Sequence, residues 1–172
     1  SPDSVIDMYA KIMGPGISNE TLALTRAGTN FQLFINDYRL TRGFGLYTSI
    51  RSNRIWYDPG YILWDREQYN DNEVTLNGHY TTLPLDISWH FKLLDSNRLQ
   101  WRVFVQATDH FHIDRLQVNI MLNPGFRKWL TDQGDEGDFP EKFHWEISED
   151  WEHLHITGPE STISVLVDDP GW

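Results

Sequence analysis

Two short histidine motifs contain the residues of this chain that are best suited to acid–base or metal chemistry. His110 and His112 are separated by one residue, as are His153 and His155, and Asp114 continues the first series. Residues i and i+2 of a strand point to the same face, so each motif can present two imidazoles together. Imidazole and carboxylate ligands suit zinc, iron or copper, and the same groups act as general acids and bases. His110, His112 and Asp114 are therefore candidate catalytic or metal-binding residues, and ordinary surface or core histidines are the alternative.

A second set of potential ligands lies in an acidic loop that contains glycine. Asp132, Asp135 and Asp138 surround Gly134 and Gly137. Hard carboxylate oxygens on a flexible loop are ligands that calcium prefers. The spacing differs from the EF-hand pattern, so the loop is a candidate calcium site without a recognised motif. A solvated acidic loop is the alternative interpretation.

Aromatic side chains are the most numerous candidate binding residues, with 8 Trp, 7 Tyr and 9 Phe. Tryptophan favours partly wet positions because its indole N–H requires a partner. An aromatic ring against the apolar face of a sugar, with carboxylates accepting from the hydroxyls, orients a carbohydrate. One cluster surrounds a Pro-Gly turn and another lies among acidic residues late in the chain; core strands are the alternative for both. The candidate ligand-binding residues are Trp56, Tyr57, Tyr61 and Trp64 in the first cluster, and Trp145 and Trp151 in the second.

Short extended segments separated by turns are the elements that must position these residues. From Ile87 to Leu93 every second residue is large and apolar, which is the period of a strand with one buried face. Glycine and asparagine between two apolar runs predict a hairpin over residues 21–35. Further strands are predicted at residues 99–105, 111–122, 153–157 and 162–167.

The remaining pattern indicates an all-β fold with little helix. Residues 99–105 do not keep their apolar side chains in one phase, so that strand is expected to have two buried faces. Helical spacing occurs only at residues 5–13, where a strand fits nearly as well, and one helical turn is expected at 125–130. About ten strands without a βαβ rhythm predict two packed antiparallel sheets. The expected fold is a β-sandwich of jelly-roll or supersandwich type, as one domain over residues 1–172.

Composition and charge exclude several classes of partner. The net charge of −11 argues against nucleic acid or an anionic membrane surface as the main partner, since both require clustered Lys and Arg. The absence of cysteine excludes disulfides and thiolate metal sites. No apolar run approaches the roughly 20 residues that span a bilayer. The termini resemble cut points, so the chain is expected to be a domain excised from a larger protein.

Two segments resemble sugar-handling β-sandwiches. They are Leu40-Thr41-Arg42-Gly43-Phe44-Gly45-Leu46-Tyr47 and Leu83-Pro84-Leu85-Asp86-Ile87-Ser88-Trp89, and the similarity covers about residues 40–122. The resemblance is to galactose-mutarotase-like domains and to accessory modules of carbohydrate-active enzymes. In mutarotase-like enzymes, histidines and a carboxylate act on the sugar ring. The resemblance implies a sugar-handling context, and it assigns no role to an individual residue of this chain.

The leading hypothesis is a non-catalytic carbohydrate-binding domain of a larger polysaccharide-active protein. Its expected partners are a carbohydrate ligand and the flanking domains, and an extracellular or cell-surface location is favoured slightly over others. One alternative is a sugar-active or metal-dependent enzyme that uses His110, His112 and Asp114. Another is an assembly domain whose exposed aromatic side chains contact a second chain.

Overall fold

The computed structural model describes residues 14–131 and 133–139, and the backbone of residues 153–157 and 162–166. The chain divides into two compact units, Ser1–Leu122 and Asn123–Trp172, and each is described by itself. This division does not test the expectation of a single excised domain over residues 1–172, which stays a prediction. The helical segment expected at residues 5–13 lies outside the described residues.

The described part of the first unit is built from strands and one short 3-10 turn. The strands are β1 (Gly16–Ser18), β2 (Leu22–Ala27), β3 (Asn30–Ile35), β4 (Tyr38–Arg39), β5 (Thr41–Ser52), β6 (Ile55–Tyr57), β7 (Ile62–Tyr69), β8 (Glu73–Tyr80), β9 (Leu85–Asp95), β10 (Arg98–Ala107) and β11 (Arg115–Leu122), and the 3-10 turn is Pro59–Tyr61. Sheet A has the order β1-β2-β3-β5-β11, with β4 paired to β3 and β6 paired to β5. Sheet B has the order β10-β9-β8-β7.

Sheets A and B are antiparallel and pack against each other as a β-sandwich, which confirms the predicted fold class. The core follows from period-two patterns in both sheets. On β9 the residues from Leu85 to Leu93 alternate between buried apolar and less buried polar side chains. They pack with Leu24, Phe31 and Ile50 of sheet A in one apolar cluster. Each large side chain buried there contributes about 1.5–3 kcal/mol to folding.

Trp89 lies at the centre of this core and is fully buried. Its ring centroid is 4.9 Å from that of Trp64 and 5.4 Å from that of Trp101, both in edge-on geometry. Such aromatic pairs add about 0.5–1.5 kcal/mol beyond the burial of their surface. The aromatic content of the chain is therefore partly explained by the core.

Two expectations about local structure are wrong. β10 does not have two buried faces: Phe104 is 56% exposed, and the inward residues of that strand are only half-buried. Both faces are instead buried on β2 and β3, where Ala23 and Phe34 are buried on the face turned away from sheet B, and over part of β5, where Ser49 is buried on that face as well. The helical turn expected at residues 125–130 is also wrong, because Lys128–Thr131 forms a strand. Its buried residues, Trp129 and Thr131, alternate with exposed ones, which is the period of a strand.

The second unit contains a separate antiparallel sheet in the described residues. Its order is β13-β12-β14-β15, with β12 (Lys128–Thr131), β13 (Glu136–Asp138), β14 (His153–Thr157) and β15 (Thr162–Leu166). The last two agree with the strands predicted at residues 153–157 and 162–167. No helix in the described parts of either unit is long and apolar enough to cross a bilayer.

Candidate functional site

The aromatic cluster around the Pro-Gly turn does not form one surface. In the register between β5 and β6, Trp56 pairs with Arg51 and Tyr57 pairs with Ile50. Directly paired residues of an antiparallel ladder share a face, and neighbours along the strand lie on opposite faces. Tyr57 therefore points toward the core with Ile50, whereas Trp56 points away from sheet B. Trp56 is 43% exposed.

The other two members of this cluster, Tyr61 and Trp64, pack against Tyr57 and against the core, respectively. The rings of Tyr57 and Tyr61 meet edge-on with centroids 5.1 Å apart, and Tyr61 remains 39% exposed. Asp58 caps the intervening 3-10 turn, because its Oδ1 accepts a 2.7 Å hydrogen bond from the Gly60 backbone N–H. Trp64 packs against Trp89 in the core. Of the four residues, Trp56 is the one that presents its ring on the outer face of sheet A.

Two arginines lie beside Trp56 in the same row of this face. Arg51 on β5 pairs with Trp56 on one side and with Arg115 on β11 on the other. The Arg51 guanidinium carbon is 5.9 Å from the centre of the Trp56 ring. A cation over an aromatic face at this distance contributes about 0.5–1 kcal/mol at an exposed site. Arg51 therefore helps to hold the Trp56 ring in place.

Further along β5 and β11 the same face carries polar side chains joined by hydrogen bonds. Ser49 pairs with Gln117, and Tyr47 pairs with Asn119. Asn119 Nδ2 donates a 3.0 Å hydrogen bond to Ser49 Oγ, which donates a longer one of 3.4 Å to Gln117 Oε1. Within the described residues, Gln117 Nε2 and Asn119 Oδ1 have no hydrogen-bond partner. We call this surface the β5–β11 face, and its members are Trp56, Arg51, Arg115, Ser49, Gln117, Tyr47 and Asn119.

A second aromatic pair lies at the far end of the β5–β11 face. The ring of Tyr47, which is half-buried and also packs against the core cluster, is 5.2 Å from that of Phe44, which is 44% exposed. Burial, and secondarily the Asp58 carboxylate, raise the pKa of the Tyr47 hydroxyl, so it stays protonated and able to donate. From Arg51 to Tyr47 is four residues of strand, or about 13 Å. The exposed rings are thus Trp56 at one end and Phe44 at the other, with hydrogen-bonding groups between them.

The histidine and aspartate of the first motif lie at the end of sheet A, next to the turn between β5 and β6. His112 Nε2 is 2.8 Å from Asp114 Oδ1, and Asp114 Oδ2 accepts a 2.9 Å hydrogen bond from the Arg54 backbone N–H. Ser52 Oγ donates a 2.6 Å hydrogen bond to the His112 carbonyl. The Arg54 hydrogen bond, followed by His112 and Arg51, lowers the pKa of Asp114. Both carboxylate oxygens therefore have partners, and one of them closes the hairpin turn.

The structure brings His112 and Asp114 together but does not extend them into a metal site. His110 is exposed, and its backbone N–H donates to Asp109. Asp135 and Asp138 are exposed, and Asp132, Trp145 and Trp151 lie outside the described residues. In the described part of the chain, no three His, Asp or Glu side chains are placed to hold a metal ion. The calcium loop and the late aromatic cluster stay predictions.

The outer face of sheet B provides a comparison within the same unit. Its polar side chains bond to each other: Ser88 Oγ donates a 2.7 Å hydrogen bond to Asn77 Oδ1, and His79 Nδ1 lies 2.7 Å from Asp65 Oδ2. Phe104 is the large exposed aromatic on that face. We call it the sheet B outer face. It has no second exposed aromatic at the opposite end among the described residues.

The comparisons with known proteins do not assign a role to this site. No protein-family model, no curated protein and no solved structure matches this chain. The resemblance to mutarotase-like domains therefore gains no support from them, and it supplies no residue roles.

Six members of the β5–β11 face were not singled out from the sequence, although part of the signal was present. On β11, polar Arg115, Gln117 and Asn119 alternate with apolar residues, and this period predicts a shared polar face. The pairing of that face with Ser49, Arg51 and Trp56 depends on strand register. Register between β5 and β11, which are more than 60 residues apart in sequence at Ser49 and Gln117, is a property of the tertiary fold.

Proposed function

We propose that this chain binds carbohydrate on the β5–β11 face, as a non-catalytic domain of a polysaccharide-active protein. The observation that carries the proposal is the arrangement of that face. Trp56 lies at one end, Tyr47 with Phe44 lies at the other, and amide side chains lie between them. The span of about 13 Å is long enough for more than one sugar ring.

The polar groups of the face have the chemistry that sugar hydroxyls require. A hydroxyl donates one hydrogen bond and accepts others, so it is best read by a donor and an acceptor together. Gln117 Nε2 is a donor and Asn119 Oδ1 is an acceptor, and both are unpaired within the described residues. Their other amide atoms are tied to Ser49, which limits the side-chain freedom that is lost on binding.

The geometry favours binding over the alternative in which His112 and Asp114 are catalytic. A general base must present a lone pair to the substrate and have a pKa near the working pH. Both oxygens of Asp114 already accept from His112 or Arg54, and the Arg54 hydrogen bond lowers the pKa of the carboxyl away from that range. The pair is explained as a closure of the β5–β6 turn.

A glycan-array screen of the whole chain tests the proposal. We expect a selective hit, followed by calorimetry with that glycan and with two amide variants. Gln117→Ala combined with Asn119→Ala should weaken binding about tenfold or more, because each lost hydrogen bond is worth about 0.5–1.5 kcal/mol. Asn77→Ala is the matched control, since Asn77 is a half-buried amide on the sheet B outer face.

Two results would contradict the proposal. An array without any selective glycan would remove carbohydrate as the ligand class. A hit whose affinity falls with Asn77→Ala and not with the double amide variant would move the site to the other sheet. Circular dichroism of each variant separates loss of binding from loss of fold.

A further inference from the structure

We propose that the glycan bound by the β5–β11 face is anionic and that its carboxylate pairs with Arg51 and Arg115. This inference rests on the proposed function and adds the chemical class of the ligand. The observation that carries it is the row Trp56, Arg51 and Arg115, in which an exposed aromatic ring and two guanidinium groups share one face.

The register places the two guanidinium groups close to each other. Arg51 and Arg115 are directly opposed on neighbouring antiparallel strands, where Cβ atoms lie about 4.5–5.5 Å apart. Like charges in that position repel each other unless a counter-charge lies between them. Neither arginine forms an ion pair with an acidic side chain within the described residues. No carboxylate of the described residues is therefore bonded directly to this pair.

The acidic groups near this row do not fill that role. The Arg51 charge contributes to the low pKa of Asp114, so the two side chains interact at a distance. The Asp114 oxygens, however, bond to His112 and to the Arg54 backbone. Asp58 caps the 3-10 turn through Gly60 and acts on Tyr47, at the other end of the face. The row itself therefore places two positive charges side by side in a chain of net charge −11.

Arginine is also the residue type that recognises a carboxylate best. Its planar guanidinium donates two parallel hydrogen bonds to the two carboxylate oxygens, which fixes orientation as well as charge. With Trp56 beside Arg51, the row offers an apolar surface for a sugar ring and a pair of donors for an acid group on that ring. This combination fits a uronic acid residue within a polysaccharide.

The test compares each acidic glycan with its own neutral form. The probes are oligomers of galacturonate, mannuronate and glucuronate, each assayed by calorimetry beside the same oligomer with methyl-esterified carboxylates. We expect at least one acid to bind about tenfold or more tightly than its ester. Raising NaCl from about 0.05 M to about 0.5 M should weaken binding of the acid and leave that of the ester nearly unchanged.

Arg115→Gln removes one charge of the row and keeps a shorter polar side chain, and we expect the preference for the acid to fall about fivefold. Arg115→Lys should retain part of the preference, because it keeps the charge and loses the bidentate geometry. Arg102→Gln is the matched control, since Arg102 is exposed on the sheet B outer face and carries the same charge. It should leave the preference unchanged.

The outcomes separate this inference from the proposed function. If acid and ester bind equally, or only neutral glycans bind, the ligand is not anionic while carbohydrate binding stands. If Arg102→Gln reduces the preference as much as Arg115→Gln, the effect is long-range charge and the proposed row is wrong. If neither these probes nor any glycan on the array binds, both proposals fail.

Discussion

Replacement of Trp56 by alanine is the most direct test of the proposed binding face. The variant removes the exposed ring at one end of the face, and it leaves the core side of β6 intact because Trp56 points away from sheet B. We expect a clear loss of glycan affinity with the fold retained. Some loss of thermal stability is also expected, since the contact between the Arg51 guanidinium and the ring disappears.

The expected loss can be worked out from the exposure of the ring. A tryptophan has up to about 250 Å² of surface, and Trp56 is 43% exposed, so about 100 Å² is available to a ligand. At about 25 cal/mol per Å², complete coverage is worth about 2.5 kcal/mol and half coverage about 1.3 kcal/mol. These energies correspond to losses of affinity of about seventyfold and about tenfold.

Calorimetry with the glycan selected on the array measures this loss, at a temperature well below the melting points of all variants. Trp56→Phe should recover part of the affinity, because a smaller ring still covers the sugar. Phe104→Ala is the matched control, since Phe104 is 56% exposed on the sheet B outer face and should not contact the ligand. Thermal denaturation by circular dichroism confirms that each variant is folded.

An affinity of Trp56→Ala within about twofold of the wild type would refute the reasoning, because the loss would be smaller than half coverage of the ring allows. Equal losses for Trp56→Ala and Phe104→Ala would refute it as well, since the two residues lie on different sheets.

Three further predictions concern stability and pH. Trp89→Ala should destabilise the protein by about 3–5 kcal/mol in urea unfolding, because a fully buried ring is removed from the core; a loss below about 1 kcal/mol would contradict the assignment of Trp89 to the core. The pKa of Asp114 is lower in the folded protein than its ordinary value of 3.8, so its stabilising contribution is present above pH 3.8 and is lost as pH falls through the folded pKa. Asp114→Asn should therefore be less stable than the wild type at pH 7, and the difference in free energy of unfolding should shrink as the pH falls below 3.8. A difference that stays constant from pH 7 into acid would refute this linkage. Gly45→Ala should destabilise the protein by about 3 kcal/mol or more, because the φ of Gly45 is +62° and a Cβ there would overlap the Phe31 carbonyl. Gly28→Ala should cost about 1–2 kcal/mol, because Gly28 has a similar φ of +64° but open space around a Cβ. Equal melting temperatures for the two variants would contradict the close approach at Gly45.

Local sequence patterns determined the fold class and much of the secondary structure. The alternation from Ile87 to Leu93 predicts one buried face, and the structure has that face in the core. The hairpin predicted over residues 21–35 is β2 and β3, with its turn between Ala27 and Asn30. These features depend on side-chain period and turn residues, which act over a few positions, so they can be seen in one sequence.

Burial on each face was decided by the tertiary structure. Phe104 breaks the phase of its neighbours, which suggests a second buried face, yet nothing in the described residues covers it and it is 56% exposed. The four aromatic residues from Trp56 to Trp64 look like one cluster in the sequence. The 3-10 turn and the register of β6 instead separate them: Trp56 lies on the outer face, Tyr61 packs on Tyr57, and Trp64 lies against the core.

The candidate site could not be predicted from the sequence either, because its residues are brought together by the tertiary structure. Aromatic content and the motif of His112 and Asp114 could be recognised in the sequence, and the structure places the two in hydrogen-bond contact. The row of Trp56, Arg51 and Arg115 has no local signal, because its third member is more than 50 residues from the others along the chain. A shift of one residue in the register of β11 would turn Arg115, Gln117 and Asn119 to the opposite face. The sequence by itself determined which residue types alternate on each strand, and only the packing of the two sheets decided which alternating faces meet and which remain exposed.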